Sequence, residues 1–170
     1  MKKLRSAYAN CLRVLVRVFV MSLVTAAGPL WAGSAVSVQH LNFDPGSRQA
    51  QLAEQTVRSE LARLHWDATP WRWVIVHNPG DWQRILWLFP EAKSKTAFTL
   101  LVARTTYVNG RIFQESPTWY RRYIDHEIAH QVYKANQRRE SEMQVIGLRW
   151  ADSYPRVIDV NRYVPGVEAP

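Results

Sequence analysis

His126-Glu127-Ile128-Ala129-His130 is the segment of this chain whose residue types and spacing can do chemistry. On a helix, positions four apart lie one turn above each other on the same face. Two imidazoles placed in this way can both reach one tetrahedral zinc ion at ~2.0–2.1 Å. Glu127 is rotated by one residue, so it flanks that ion without having to bind it. Its carboxylate can take a proton from water that the metal acidifies toward a pKa of ~7, and hand it to a leaving amine. The expected metal ligands are therefore His126 and His130, with Glu127 as general base.

The elements around the segment are read from local signals. Ser116-Pro117 supplies a cap and a first-turn proline, so a helix is expected from Pro117 to about Ala135. Ile124, Ile128, Ala129 and Val132 give it an apolar face, and no Gly or Pro interrupts it. A second helix is expected from about Arg138 to Ser153, ended by Tyr154-Pro155. From Tyr107 through that second helix, the chain resembles the zincin metallopeptidases, whose active-site helix carries HExxH in an uncharged frame. The resemblance implies Zn²⁺ as cofactor and hydrolysis of peptide bonds in a peptide or protein substrate. The fold expected is α+β and zincin-like, a small, mostly antiparallel sheet packed on an active-site helix and a following ligand helix.

The family branches differ in their third ligand. One continues as HExxHxxGxxH, but here Tyr133 stands at the glycine and Asn136 at the histidine, and no His follows His130. The gluzincin branch takes a Glu from the next helix, which in this chain offers Glu140 and Glu142. If the chain reverses over Asn136–Gln137, the helical rise meets the level of His130 about five residues into the returning helix, at Glu142. The apolar stripe Met143, Ile146, Gly147, Trp150 instead brings Glu140 nearer the buried face. Glu142 is favoured and Glu140 stays open. The resemblance also implies that residues 97–104 or 106–114 form a sheet edge along which a peptide could lie. Tyr133, Tyr154 and Tyr163 are candidate donors to an oxyanion. Asp125 reads as a solvated helix residue, and His77 as a structural one at a strand end.

Upstream, Ala50, Ala53, Val57, Leu61 and Leu64 recur at steps of three and four, an amphipathic helix from Ser47 to about His65. Trp71–His77 and Ala97–Ala103 read as strands, with a short helix between them capped by Asp81 and running to Leu88. Asn109-Gly110 between Tyr107-Val108 and Arg111–Phe113 is the dipeptide that suits a type I′ hairpin turn. The eight tryptophans suit a core better than a surface groove.

The net charge of +8 on 170 residues looks like a nucleic-acid signal, but its distribution argues otherwise. Residues 1–35 hold five of the 22 basic residues and no acid, leaving 17 basic against 14 acidic residues in the remainder. No nucleic-acid partner is expected. The basic start, the uncharged run Val18–Ala27, the breaker Gly28-Pro29 and the small residues Ala32–Ala35 have the layout of a secretory signal peptide. The run is shorter than the ~20 residues of a spanning helix. The protein is expected to be periplasmic or secreted, touching a membrane only through this segment if it stays uncleaved. The single cysteine, Cys11, lies inside that segment, so any metal is held by His and carboxylate. The expected division is signal peptide 1–35, zincin-like metallopeptidase domain 36–155 and irregular tail 156–170. The rival readings are a non-catalytic zinc-binding protein and a Trp-rich cell-envelope binding module.

Overall fold

The computed structural model of the chain describes residues 36–135 and 139–162; the segment expected to be a signal peptide and the end of the tail lie outside these. Strand β1 (Val36–His40) leads through helix α1 (Arg48–Arg63) to strand β2 (Trp71–Val76), followed by helix α2 (Pro79–Leu88). Strands β3 (Ala97–Leu100) and β4 (Thr105–Asn109) come next, then helices α3 (Pro117–Tyr133) and α4 (Glu140–Asp152). The fold is α+β, built on a four-stranded sheet of order β1-β2-β4-β3.

The sheet is mixed, which corrects the expectation of a mostly antiparallel one. β1 pairs parallel with β2, β2 parallel with β4, and only β3 with β4 runs antiparallel. The reason lies in the element order. Helices α1 and α2 follow β1 and β2, and a helical crossover returns the chain parallel to the strand it left. Such a strand is covered on both faces and reads as an unbroken apolar run. β2 does so: Trp73 and Ile75 enter the main core with α1 and α3, while Val74 and Val76 pack under α2 with Trp82, Ile85 and Phe98. Trp71, Trp73, Trp82 and Trp150 are buried, whereas Trp87 and Trp119 are exposed, so the core role expected for the tryptophans holds for part of the set.

Local chemistry accounts for the helix ends. The Ser47 hydroxyl accepts from the Ala50 N–H at 3.2 Å and starts α1. Helix α2 is capped by Asn78, whose side chain accepts from Gly80 N–H at 2.8 Å, rather than by Asp81, because Pro79 takes the first helical position. Asp81 accepts instead from Asn42 and Arg84. Ser116 takes the N-cap position of α3 without a side-chain cap bond, Pro117 fills the first turn, and Lys134 in the left-handed conformation (φ 46°) ends the helix.

The hairpin expected at Asn109-Gly110 does not form. A type I′ turn needs positive φ at both residues, but Asn109 sits at φ −69° and its side chain caps a 3-10 turn over Gly110–Gln114. Ile112 and Phe113 of that turn are buried, and burying them outweighs the local preference. Gly110 serves close packing, since a Cβ there would lie 2.6 Å from His77 Nδ1. The tight connection is the one between β3 and β4, where Arg104 takes φ 45°. Part of the carboxy-terminal tail packs down. Ile158 and Val160 donate their N–H groups to the last carbonyls of α1, at Arg63 and Leu64, and the Val160 side chain is buried.

Candidate metal centre

Helices α3 and α4 pack face to face, and Gly147 sets how closely. A Cβ on Gly147 would lie 2.6 Å from both the backbone N and the Cα of His126, so only glycine admits this approach. Met143 is buried on the same stripe. Glu140, three residues before Met143 and seven before Gly147, therefore faces α3.

At that face His126, His130 and Glu140 converge. The two Nε2 atoms lie 3.2 Å apart, and each is 3.3 Å from a Glu140 carboxylate oxygen. Ligand atoms at ~2.0–2.1 Å around a tetrahedral ion are separated by ~3.3–3.4 Å. The imidazole pair has nearly that separation, and Glu140 turns one oxygen to each ring, Oε1 to His126 and Oε2 to His130. With one ligand atom from each residue, the three lie within 4.8 Å of one another, close enough to hold an ion. The donor chemistry agrees. His130 Nδ1 lies 2.7 Å from the Ala135 carbonyl, which can only accept, so Nδ1 carries the proton and Nε2 faces the cluster with its lone pair. Burial, reinforced by His130, pushes His126 down to about 4, which keeps its ring neutral as a ligand requires. Burial raises Glu140, but the Lys95 ammonium bonded to it and the two imidazoles together hold it below the ordinary carboxylate range.

The structure does not bring Glu142 to the site. Glu142 is exposed, and both its oxygens bond to Arg139, one at 2.7 Å from Nε. Of the two candidates for a third ligand, the structure places Glu140, and not the favoured Glu142, beside the imidazoles. Counting the rise assumed a helix that begins near Arg138, whereas α4 begins at Glu140; both glutamates then fall in its first turn, and the face shared with Met143 and Gly147 selects Glu140.

Glu127 lies one residue around the helix and is buried at 3% exposure. Its Oε2 accepts from the Thr99 hydroxyl at 2.7 Å. Burial lifts the carboxyl to about 8 in the metal-free chain, opposed by the Thr99 bond, and a cation held beside it would favour the carboxylate that a general base needs. A small pocket of ≈ 20 Å³ bordered by Thr99, Glu127, His130 and Glu140 has room for about one water molecule. Outside it opens a cleft of ≈ 430 Å³, walled by Lys95, Trp119, Arg122, Tyr123, His126 and Gln144 among others.

The remaining candidates fall elsewhere. Asp125 is not solvated: it is fully buried and pairs with Arg63 Nη2 at 2.5 Å. Arg63 also bonds Glu60 at 2.6 Å and the carbonyls of Trp150 and Arg156, tying α1, α3, α4 and the tail together. Burial raises Asp125, and the Arg63 guanidinium opposes that rise. His77 bonds His40 at 2.9 Å at the ends of β2 and β1. Tyr133 stacks on Trp150, and Tyr154 is exposed beneath the Arg121 guanidinium at 3.5 Å. Tyr163 lies outside the described residues. Sequence reasoning missed Lys95 and Thr99. Their only local signal is weak, a hydroxyl inside an apolar strand for Thr99 and none for Lys95. Compared with known proteins, the chain matches no family model, no curated protein and no solved structure.

Proposed function

We propose that this chain is a zincin-type, gluzincin-like zinc metallopeptidase, acting in the periplasm or outside the cell if residues 1–35 direct its export. One observation carries the reading: two imidazole nitrogens 3.2 Å apart meet a carboxylate that turns one oxygen to each of them at 3.3 Å, a convergence of donors close enough to share one ion. Two histidines and a carboxylate leave a coordination position open, as catalytic zinc sites do. The same donor types also suit non-haem iron. Glu127 favours zinc, because a carboxylate beside the ion but not among its ligands has work to do in hydrolysis.

When bound, zinc supplies Lewis acidity toward water and toward the scissile carbonyl. Glu127 takes the proton from the attacking water and delivers it to the departing amine nitrogen. His126, His130 and Glu140 would hold the ion, and the Ala135 carbonyl orients His130. The cleft walled by Trp119, Arg122 and Gln144 receives the substrate. Of the two stretches considered as a peptide-binding edge, β3 occupies the sheet edge beside α3, whereas β4 is interior. A peptide added to β3 would run past Glu127.

The test is metal content and turnover in the purified full chain. One zinc per chain, cleavage of casein or a peptide library that stops with chelator, and a Glu127→Gln variant that keeps zinc but loses turnover are expected. Zinc without turnover would leave a binding protein. A chain that takes up no zinc would make the histidines incidental.

A further inference from the structure

Glu127 terminates a hydrogen-bond chain whose direction follows from its donors. An indole N–H only donates. Trp66 Nε1 lies 2.9 Å from Gln131 Oε1, which fixes the amide with its oxygen toward Trp66 and its nitrogen toward Thr106 Oγ1, also at 2.9 Å. Trp71 Nε1 donates to the same Thr106 oxygen at 3.0 Å. Both lone pairs of that hydroxyl are now occupied, so its own proton goes to its remaining neighbour, Thr99 Oγ1, at 2.8 Å. Thr99 accepts it and donates its own proton to Glu127 Oε2 at 2.7 Å. Gln131 and Thr106 are buried at 1% and 0% exposure, where solvent offers no substitute partner.

We propose that Thr99 is a positioning residue that clamps Glu127 through Oε2 and leaves Oε1 as the oxygen that moves the proton. A proton on Oε2 would point at Thr99, whose own proton would then have to turn to Thr106, where no lone pair is left. The water proton therefore passes to Oε1 and leaves from Oε1 for the amine nitrogen, returning Glu127 to its carboxylate. This assignment rests on the peptidase reading of the site. The Thr99 clamp itself is a property of the metal-free chain as well.

Two readouts separate the ideas. In proton NMR of the full chain without metal, the Thr99 hydroxyl proton should exchange slowly and show a through-space contact to the Glu127 γ protons. A Thr99 hydroxyl proton directed to Thr106 instead would overturn the proposal. In the zinc-loaded chain, with a quenched fluorescent peptide library as substrate, Thr99→Val should keep zinc and KM while kcat falls about 10- to 100-fold. Thr99→Ser, which restores the donor, should recover most of that loss. Wild-type kcat in Thr99→Val, or loss of its zinc, would overturn the positioning role while leaving the peptidase reading standing. If wild-type turnover is absent or survives Glu127→Gln, the peptidase reading falls, and the hydroxyl resonance alone decides the clamp.

Discussion

Replacing Gly147 by alanine tests how the fold sets the metal centre. In an exposed helix interior this change favours folding by ~0.8–1.0 kcal/mol, because alanine loses less backbone freedom. Here the new methyl would sit 2.6 Å from the N and Cα of His126 and 3.0 Å from its Cβ. These are backbone atoms of a packed helix, so no side chain can swing aside. Reaching an ordinary contact of roughly 3.6 Å requires α3 and α4 to separate by about 1 Å. Overpacking of this kind costs typically ~1–3 kcal/mol, and contact with backbone places it at the upper end. Net of the propensity gain, a loss of about 2 kcal/mol is expected, or a fall in Tm of roughly 6–10 °C for a domain of this size. The same separation carries Glu140 away from the imidazoles it now faces at 3.3 Å, so zinc affinity should fall by at least about tenfold. Thermal unfolding in chelator measures the first effect, and competition with a chromophoric chelator the second. A variant as stable as wild type with unchanged zinc affinity would refute the claim that Gly147 sets the helix spacing on which the His126, His130 and Glu140 cluster depends.

Three further predictions concern separate parts of the molecule. Glu140→Gln should weaken zinc binding by about 10- to 100-fold, whereas Glu142→Gln should leave it unchanged; the reverse order in a metal titration would restore Glu142 as the ligand. Arg63→Ala leaves the buried Asp125 and Glu60 without their shared cation and should cost about 3–5 kcal/mol in denaturant unfolding. A loss below about 1 kcal/mol would show that the cluster is already solvated. Burial, and then His40, depresses His77 to about 4 from 6.5, so folding favours its neutral form. Stability from this ring is complete above pH 6.5 and is lost as pH falls toward 4, because the unfolded chain gains a proton that the fold resists. Discounted for solvent screening of a half-buried ring, the loss is about 1–2 kcal/mol. Asp125 and Glu127, with raised carboxyls, act in the opposite sense, so the wild-type minus His77→Gln difference between pH 7.5 and 5 is the quantity to measure. A flat difference would contradict the assignment.

What the sequence made legible was local. The helix start at Ser116-Pro117, the apolar face of α1 and the one-turn spacing of His126 and His130 depend on residues within a few positions of one another, and each stands where expected. What it hid depends on distant chain. The partner of Asp125 is 62 residues away on α1, so nothing near Asp125 distinguishes it from a surface acid. Asn109-Gly110 carries a strong turn signal, yet the burial of Ile112 and Phe113 and the contact of Gly110 with His77 decide its conformation. The choice between Glu140 and Glu142 turned on which helix face each shares, which a rise calculation from an assumed helix start does not address. The apolar stripe ending in Gly147 held the better clue, because side chains seven positions apart share a face whatever the connection before them does.

The three converging side chains come from both members of a helix pair, two from α3 and one from the first turn of α4. A cation bridging them would act as a fastener as well as a reagent, since whatever free energy it gains from Glu140 also draws α4 onto α3. Saturating metal should then raise the melting temperature in step with the logarithm of its free concentration. Hydrogen exchange would report that tightening chiefly in the amides of the first turn of α4.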